Sequence, residues 1–438
     1  MTYILAFVFV LGVLVFVHES GHFLVAKWVG VKVKVFSLGF PPKIIGRTWG
    51  GTEYRIGALP LGGYVKMAGD NPMEATGDPE EFMSHSKWER LAILLAGPAM
   101  NIVLSILILT TLFMVGVERP AGLDDPVDVR FVAEDSPASR SGVQPGDRIT
   151  RVDGDPVPSW KAALDKFIVS ANDTLILTIE RDAQTIEFPI EIEARGDEEI
   201  GYAGLFPSIQ PQVAALFEDF PAERAGMQEG DIITKVGGKA IFHFTELIEG
   251  IEARGGEPVT LGVLRDQESM EFTLTPQRED GRWLIGINFN VTPTVLFRVT
   301  NPVLALREAL GETSRFTRLT FIVLGRLVTG RASLNTLSGP VGIGVAAGET
   351  ARRGARQLFM FMAFLSLNLG ILNLLPIPLL DGGHMTVIAL EGLAGRDFSL
   401  QVKERILQVG FVMLLVLMVT VLAVDLSKID AIGKYLPW

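Results

Sequence analysis

The chain contains no cysteine and only five histidines among its 438 residues. The lack of thiols excludes disulfide bonds and every zinc site built on thiolates. It does not identify a compartment, because many envelope proteins also lack cysteine. Any zinc site must therefore draw on imidazole and carboxylate groups.

Charged residues are also few, at 20% of the chain against 48% hydrophobic residues, which is too apolar for an ordinary soluble protein. Four apolar runs are about as long as a bilayer core requires, at residues 3–25, 91–117, 358–375 and 406–424. The first run lacks the basic start and the small-residue cleavage site of a secretory signal, so we expect it to be a retained span. The third run continues irregularly to Leu393.

The net charge of −11 is unevenly distributed along the chain. Residues 118–298 contain 33 acidic and 17 basic residues, whereas the remainder contains 17 acidic and 22 basic ones. The short loops after the first span and between the third and fourth spans are basic, and basic short loops stay in the cytoplasm. Both termini and the acidic central region are then expected outside the cytoplasm. An acidic exterior disfavours nucleic-acid partners.

A histidine pair lies inside the first apolar run, in the sequence His18-Glu19-Ser20-Gly21-His22. Residues four apart share a face of an α-helix, so His18 and His22 can offer two imidazole nitrogens to one metal ion. Glu19 lies beside that face, where a carboxylate can take a proton from a metal-bound water as a general base. The alternative is an accidental match, but uncoordinated imidazoles and a bare carboxylate are costly in a membrane segment.

The segment after the first span alternates with a period of two over residues 31–66, which predicts a small β-sheet next to the membrane. Residues 61–67 close it with a strand flexible enough to approach another backbone, although a simple cytosolic cap is the alternative. The polar stretch 78–90 predicts a short surface helix. In the second span, Gly97-Pro98 permits close packing or a kink, and Asn101 predicts an interhelical hydrogen bond.

The central region contains an internal repeat at a constant offset of 84 residues, since residues 136–157 align with residues 220–241. In the first unit, Ser136 can cap a short helix that has Pro137 in its first turn and Gly142 just past its end. The pattern resembles a PDZ domain of the bacterial, circularly permuted type. PDZ domains capture extended chain ends by adding a strand to a sheet edge. The alternative is a rigid spacer with an unused groove.

The third span breaks into Pro376-Ile377-Pro378-Leu379-Leu380-Asp381-Gly382-Gly383-His384, which cannot continue a helix. Unwound backbone at membrane depth should line a site. Catalytic zinc usually takes three protein ligands, and Asp381 is the best candidate for the third. His384 competes for that role, or is a partner of a ligand, and Asp381 could instead cap a helix. Asn373, and less so Asn368, could contact substrate, or both could hold spans together.

In combination these motifs resemble the site-2 intramembrane zinc metalloproteases over essentially the whole chain. The matching motifs are His18-Glu19-x-x-His22, Gly97-Pro98-x-x-Asn101, the PDZ pair and Asn373-x-x-Pro376-x-Pro378-x-Leu380-Asp381-Gly382. The resemblance implies that His18, His22 and Asp381 bind Zn²⁺ and that Glu19 is the catalytic base. It also implies that the strand Gly63-Tyr64-Val65 pairs with substrate and that Asn373 touches it.

The same resemblance implies a bacterial inner-membrane protein that cleaves single-span membrane proteins after a first cut outside the membrane. The implied substrates are an anti-sigma factor of an envelope stress response and remnant signal peptides, with the PDZ pair rejecting uncut substrates. Two rivals stay open. A PDZ scaffold with a structural zinc would need a closed four-ligand site, with His384 as the fourth ligand, and a metal transporter would use the same residues for transit.

The expected fold is a multi-span α-helical membrane protein with four transmembrane helices, a membrane-associated β-sheet and two tandem extracytoplasmic PDZ domains of the α+β class. We expect an amphipathic connector on the membrane surface between the PDZ pair and the third span. The four expected spans are 1–28, 91–117, 358–393 and 405–425. The cytoplasmic β segment is expected at 29–90, the two PDZ domains at 118–201 and 202–290, and the connector at 291–357. A cytoplasmic loop is expected at 394–404 and the C-terminal tail at 426–438.

Overall fold

The computed structural model describes residues 1–71, 76–196, 199–207, 210–265, 268–279, 281–290 and 294–432, with the side chains of all but 60, 61, 290 and 426–432. The chain forms two compact units. The helical unit combines Met1–Val117 with Arg298–Trp438, and the repeat unit is Glu118–Phe297.

Helices make up most of the helical unit. Over the described residues the helices are α1 (Thr2–Val29), α2 (Lys87–Val115), α3 (Pro137–Ser141), α4 (Trp160–Val169), α5 (Pro221–Arg224), α6 (Phe244–Glu252), α7 (Pro302–Val328), α8 (Pro340–Arg353), α9 (Ala355–Asn373), α10 (Asp381–Leu393) and α11 (Leu400–Ile432). Four of them, α1, α2, α9 and α11 as far as Asp425, are long and apolar enough to cross a membrane. These four helices agree with the four apolar runs of the sequence.

Strands fall mainly in the repeat unit. They are β1 (Val33–Trp49), β2 (Thr52–Met67), β3 (Val117–Pro120), β4 (Phe131–Val132), β5 (Arg148–Val152), β6 (Asp155–Pro156), β7 (Thr174–Arg181), β8 (Gln184–Glu191), β9 (Glu193–Arg195), β10 (Ile200–Tyr202), β11 (Leu205–Phe206), β12 (Gln212–Leu216), β13 (Ile232–Val236), β14 (Lys239–Ala240), β15 (Val259–Arg265), β16 (Glu268–Leu274), β17 (Gln277–Glu279), β18 (Arg282–Leu284), β19 (Ile287–Asn290) and β20 (Thr294–Phe297). Only β1 and β2 lie wholly in the helical unit.

The segment between α1 and α2 folds as an antiparallel sheet of β1 and β2. The stretch 35–38 of β1 pairs on one side with residues 53–56 and on the other with residues 63–66. Residues 35–38 therefore lie between the other two stretches, and residues 63–66 form an outer edge of the sheet among the described strands. The period-two pattern of the sequence predicts such a sheet.

The polar stretch before α2 differs from the predicted surface helix. It contains one turn of 3-10 helix at Phe82–Ser84, and α2 begins soon after, at Lys87. Ser86 and Glu89 cap α2 reciprocally, because the Glu89 N–H donates to the Ser86 hydroxyl and the Ser86 N–H donates to the Glu89 carboxylate. Arg90, expected at the surface, is buried one turn into the helix.

The predicted amphipathic connector over 291–357 contains two helices, α7 and α8, joined by a loop. α7 buries Ala305, Ala309 and Thr313 along one face and packs against α2. The loop leads into α8 at Gly339-Pro340. The first helix of the connector therefore packs against the spans α2 and α9.

A carboxylate on the last span caps α8. Asp425 accepts hydrogen bonds from the backbone N–H groups of Gly339, Val341 and Gly342, at 2.9, 3.0 and 3.1 Å. An anionic side chain satisfies unpaired N–H groups at a helix N-terminus and interacts favourably with the helix dipole. Asp425 is itself buried, so this contact ties α11 to α8.

The repeat unit contains two copies of one arrangement, each with its own apolar core. In the first, β6, β5, β7 and β8 form one sheet; in the second, β14, β13, β15 and β16 pair in the corresponding order. Ser136 caps α3, Pro137 lies in its first turn, and Gly142 ends it with a φ of 87°, as the sequence predicts. The assignment of both copies as PDZ domains stays a prediction.

The first copy extends further than the expected boundary at residue 201. Strand β11 pairs with β4, and both Ala203 and Leu205 belong to the first core. The strands in this region are two or three residues long and show no alternation, so the sequence does not reveal where the first core ends. The first copy therefore reaches Phe206.

The same ion pair holds each copy together. Arg181 donates to Asp147 from Nε at 2.6 Å and from Nη2 at 2.8 Å, and Arg265 bonds Asp231 in the same way at 2.7 and 2.8 Å. Both aspartates are only 1% exposed. A bidentate arginine–carboxylate ion pair has a specific geometry. Removing one of its two residues leaves the other charge without its partner.

We expect Asp231→Asn to destabilise the second copy by about 1–3 kcal/mol, because a hydrogen-bonded buried charge is lost. Hydrogen exchange of the full chain should show faster exchange in β13 and β15 and no change in β5 and β7. The matched variant Asp147→Asn should give the reverse pattern. Equal effects of both variants on both copies would contradict two separate cores.

Burial raises the pKa of Asp231, but the hydrogen bonds from Arg265 and from the Gln228 N–H outweigh burial, so its pKa lies below its ordinary value. The folded-state pKa is depressed, so this carboxylate contributes stability above its ordinary pKa. The contribution is lost as the pH falls through the lower folded-state value. We therefore expect the difference in hydrogen exchange between wild type and Asp231→Asn to shrink as the pH falls below about 4.

Candidate metal centre

Two imidazoles converge on one face of α1. His18 and His22 are both buried, and their Nε2 atoms lie 3.2 Å apart. The His22 Nδ1 atom lies 2.8 Å from the carbonyl oxygen of Ile93 in α2, so Nδ1–H donates to that oxygen. This tautomer leaves the Nε2 lone pair of His22 free to bind a metal ion.

The third donor comes from the broken helix. The helix α9 ends at Asn373 and α10 begins at Asp381. Asp381 Oδ2 lies 3.2 Å from His18 Nε2, and Asp381 Oδ1 lies 3.5 Å from His22 Nε2. The N-cap position of α10 is Leu380, so Asp381 does not serve as a helix cap. Its carboxylate is turned to the histidines.

Asn101 of α2 holds the other imidazole. Its side-chain amide lies 3.2 Å from His18 Nδ1, and its Oδ1 atom is buried with no hydrogen-bond partner among the described residues. An amide orientation with Oδ1 toward His18 lets Oδ1 accept a hydrogen bond from His18 Nδ1–H. His18 Nε2 is then free for a metal ion. The sequence predicted an interhelical hydrogen bond for Asn101 but not its partner.

Glycines let α1 and α2 approach closely beside the imidazoles. A Cβ atom on Gly21 would overlap the backbone of Ala96, and one on Gly97 would overlap His22 Nε2 and lie 2.9 Å from His18 Nε2. A side chain at either position would push the helices apart. The absence of side chains at Gly21 and Gly97 is therefore part of how the imidazoles are placed.

These groups open into a cavity of about 600 Å³ in the helical unit. Its wall includes the three converging side chains together with Glu19, Tyr64, Val65, Asn373 and His384. Glu19 follows His18 directly and lies close enough to His18, His22 and Asp381 to interact with them electrostatically. The cavity therefore places the expected base beside the expected ligands, with room for a peptide segment.

The outer edge of the β-sheet lies against the same face of α1. A Cβ atom on Gly63 would lie 2.7 Å from the Ser37 carbonyl oxygen and 2.9 Å from Val15 Cγ1 on α1, so a side chain there would require the sheet edge or α1 to shift. The Val65 backbone lies close enough to the Glu19 carboxylate to interact with it electrostatically. The edge strand therefore borders the cavity at the residues that the sequence proposed for substrate pairing.

Asn368, expected as a weaker candidate for substrate contact, lies elsewhere. Its Oδ1 accepts from the Thr320 hydroxyl at 2.8 Å, and its amide donates to the Phe364 carbonyl at 3.0 Å. It is not part of the cavity wall. Asn368 therefore connects α9 to α7, which is the alternative packing role considered from the sequence. The sequence alone does not show which face of a helix meets the cavity.

The donor set fits a zinc ion. One donor atom from each of His18, His22 and Asp381 lies within 4.8 Å of the others, and this is the one such group among the described residues. Two imidazoles and a carboxylate are a usual ligand set for catalytic zinc, which keeps a fourth position for water or substrate. His384 lines the cavity but does not belong to the group.

Comparison with known proteins gives one family over almost the whole chain. A model described as Peptidase family M50 matches residues 6–417. The regulator of sigma-E protease of Escherichia coli K12 is 33% identical, over 97% of this chain and 98% of the relative. Its counterpart in Salmonella typhimurium LT2 is 32% identical over the same shares. A Xylella fastidiosa protein whose description includes the words "zinc metalloprotease" is 34% identical over 89% of this chain and 90% of its own.

Among solved structures, the PDZ domain of an SdrC-like protein from Listeria monocytogenes covers 18% of this chain and 86% of its own. The identity is 23% and the TM-score is 0.17. A TM-score this low carries no argument about the fold of the repeats.

Proposed function

Because the chain belongs to peptidase family M50 and is a zinc metalloendopeptidase of the regulator of sigma-E protease type, we propose that it cleaves single-span membrane proteins within or beside their transmembrane segment. The cut follows a first cut made outside the membrane by another protease. The substrates are an anti-sigma factor of an envelope stress response and the remnants of signal peptides.

The observation that carries the proposal is the convergence of His18, His22 and Asp381 beside Glu19 in one cavity. We assign the first three as zinc ligands and Glu19 as the general base. Three ligands with an open position suit catalysis, whereas a purely structural zinc needs a fourth protein ligand. The described residues supply no fourth histidine, aspartate or glutamate to the group, which disfavours a scaffold with a closed site.

Bound zinc would supply a Lewis acid that polarises the scissile carbonyl and lowers the pKa of a water molecule. Glu19 takes the proton from the attacking water and passes it to the departing amine. The Val65 backbone lies beside the Glu19 carboxylate in the cavity wall. Ile93 and Asn101 hold the two imidazoles with Nε2 toward the cavity.

A helical substrate hides its carbonyl groups in its own hydrogen bonds, so it must unwind to react. The edge at Gly63-Tyr64-Val65 offers free backbone groups to an added strand, which replaces the lost hydrogen bonds. Asn373, the last residue of α9 and part of the cavity wall, contacts the strand in this proposal. The strand would then cross the cavity between the sheet edge and α10.

The two repeat copies serve, in this proposal, as tandem PDZ domains that reject substrates with a large outer domain. Basic short loops place the zinc site toward the cytoplasmic side of the inner membrane, with both termini and the repeats in the periplasm. A peptide or protein ligand of the PDZ grooves is a further partner.

The test is cleavage of a tagged single-span substrate by the purified protein in lipid vesicles. We expect complete loss of cleavage with a zinc chelator and recovery on readdition of zinc, because the ligands are neutral imidazoles and one carboxylate that rebind the ion. A scaffold predicts chelator-sensitive binding without any product, and a transporter predicts chelator-sensitive zinc flux. Either result in place of cleavage would contradict the proposed function.

A further inference from the structure

A buried arginine that makes no ion pair within 4 Å among the described residues lies in the wall of the cavity that holds the candidate metal centre. Arg90, in the first turn of α2, is only 5% exposed. Its Nη1 donates to the sulfur of Met83 at 3.4 Å, and sulfur is a weak acceptor. Its Nε–H is buried with no acceptor among the described residues. A guanidinium has five donors, so the described part of the chain satisfies little of this one.

The neighbouring charges are already paired. Lys403 lies 2.7 Å from Glu391, which is 1% exposed, and Lys87 lies 3.0 Å from Asp397. Of these three cations, Arg90 is the one with no carboxylate within 4 Å in the described residues. A buried charge without a partner is costly, whereas an anionic ligand that enters the cavity would complete the site.

The remaining acid in the cavity wall does not serve as that partner. Asp70 accepts a hydrogen bond from the Met67 N–H at 3.1 Å and makes no ion pair with Arg90 in the described part of the chain. Glu19 and Asp381 belong to the candidate metal centre. The acids of the cavity wall are therefore all engaged elsewhere.

The position of Arg90 on α2 relates it to the reacting centre. Arg90 precedes Gly97 by seven residues, which is two helical turns, so both lie on the same face of α2. The rise along the helix is about 10 Å, and Gly97 abuts the two imidazoles. An extended peptide advances by about 3.3 Å per residue. A peptide strand that runs along α2 from the metal centre would therefore bring a residue about three positions from the scissile bond beside Arg90.

We propose that Arg90 binds a carboxylate side chain of the substrate, about three residues from the scissile bond, on the side toward the first turn of α2. This rests on the proposed function, because a peptide must cross the cavity. A peptide carboxylate fits better than a lipid phosphate, since Arg90 is only 5% exposed and lies in the wall of the cavity that also contains Glu19 and Val65. Arg90 is a specificity residue and takes no part in the bond cleavage.

The test compares kcat/KM for substrates that carry Glu or Gln at one position, which is varied from the second to the fourth residue on each side of the scissile bond. Wild type should cleave the Glu substrate with a kcat/KM about 10- to 100-fold higher at one position, the value of a hydrogen bond to a charged group. Arg90→Met should abolish that preference while still cleaving the Gln substrate. Arg90→Glu should favour Lys at the same position, which a merely structural arginine does not predict.

Lys87→Met is the matched control, because Lys87 lies one turn earlier on the same helix, outside the cavity wall, and should keep the Glu preference. Arg90→Lys should keep part of it, which covers the case in which Arg90→Met does not fold. Equal rates for Glu and Gln at every position in wild type would overturn the inference while leaving the proposed function intact. The inference would also be overturned if phosphatidylglycerol in the vesicles changed the cleavage rate in an Arg90-dependent way and wild type showed no preference for Glu. Absence of cleavage of all substrates would overturn both.

Discussion

Glu19→Gln should lower the kcat for peptide-bond cleavage by about 10²- to 10⁴-fold, the usual value of a general base. Glutamine keeps the size and one acceptor of glutamate but cannot take a proton near neutral pH. The zinc content should stay at the wild-type level, because Glu19 is not one of the three converging donors. Single-turnover cleavage of a single-span substrate in vesicles, beside metal analysis of the same sample, measures both quantities.

Ser20→Ala is the control for this variant, because Ser20 follows Glu19 on α1 and its hydroxyl donates a hydrogen bond to the Phe16 carbonyl of the same helix. It should cleave at the wild-type rate. A Glu19→Gln protein that retains zinc and cleaves at a rate within a factor of three of wild type would remove Glu19 from the chemistry. Loss of zinc from Glu19→Gln would instead show a ligand or a packing role.

Gly97→Ala should lower the zinc content and the cleavage rate at least tenfold. The added methyl group overlaps His22 Nε2 and lies 2.9 Å from His18 Nε2, so the two imidazoles cannot keep their present positions. Alanine is the better helix former by about 1 kcal/mol, so helix propensity predicts the opposite sign. Zinc stoichiometry and thermal unfolding of the purified variant, measured together, separate a displaced site from a damaged fold.

Gly12→Ala provides the comparison. Gly12 lies on α1, two turns before the histidine pair, and a Cβ atom there has no heavy atom within 4 Å. We expect wild-type zinc content and cleavage, with stability equal or slightly higher. If Gly97→Ala matched Gly12→Ala in zinc content, the close packing of α1 against α2 would not be what positions the imidazoles.

Local spacing made the first half of the site predictable. The interval between His18 and His22 and the apolar run around them are visible without any tertiary structure. Asp381 was predictable for a different reason: two imidazoles leave a zinc site one ligand short, and an acid in a broken span is the natural supplement. The structure brings Asp381 to within 3.5 Å of both imidazoles.

The contacts that hold the imidazoles could not be predicted, because they depend on the rotation of α2 against α1. Asn101 was visible as a polar residue in a span, but its contact with His18 requires the close approach at Gly21 and Gly97. The burial of Arg90 has the same origin, since Arg90 ends a polar stretch that predicts surface exposure. Asn368 lies on the face of α9 that contacts Thr320 and not on the face that lines the cavity, and the sequence does not distinguish these two faces.

The most direct test of the central claim is the zinc K-edge X-ray absorption spectrum of the purified protein, recorded for wild type and for Asp381→Ala. We predict one zinc ion per chain in wild type, with two imidazole nitrogens and oxygen ligands at about 2.0–2.2 Å and no sulfur. Asp381→Ala should lose an oxygen ligand or the ion itself. A wild-type spectrum without a pair of imidazoles, or one that Asp381→Ala leaves unchanged, would contradict a zinc site built from His18, His22 and Asp381.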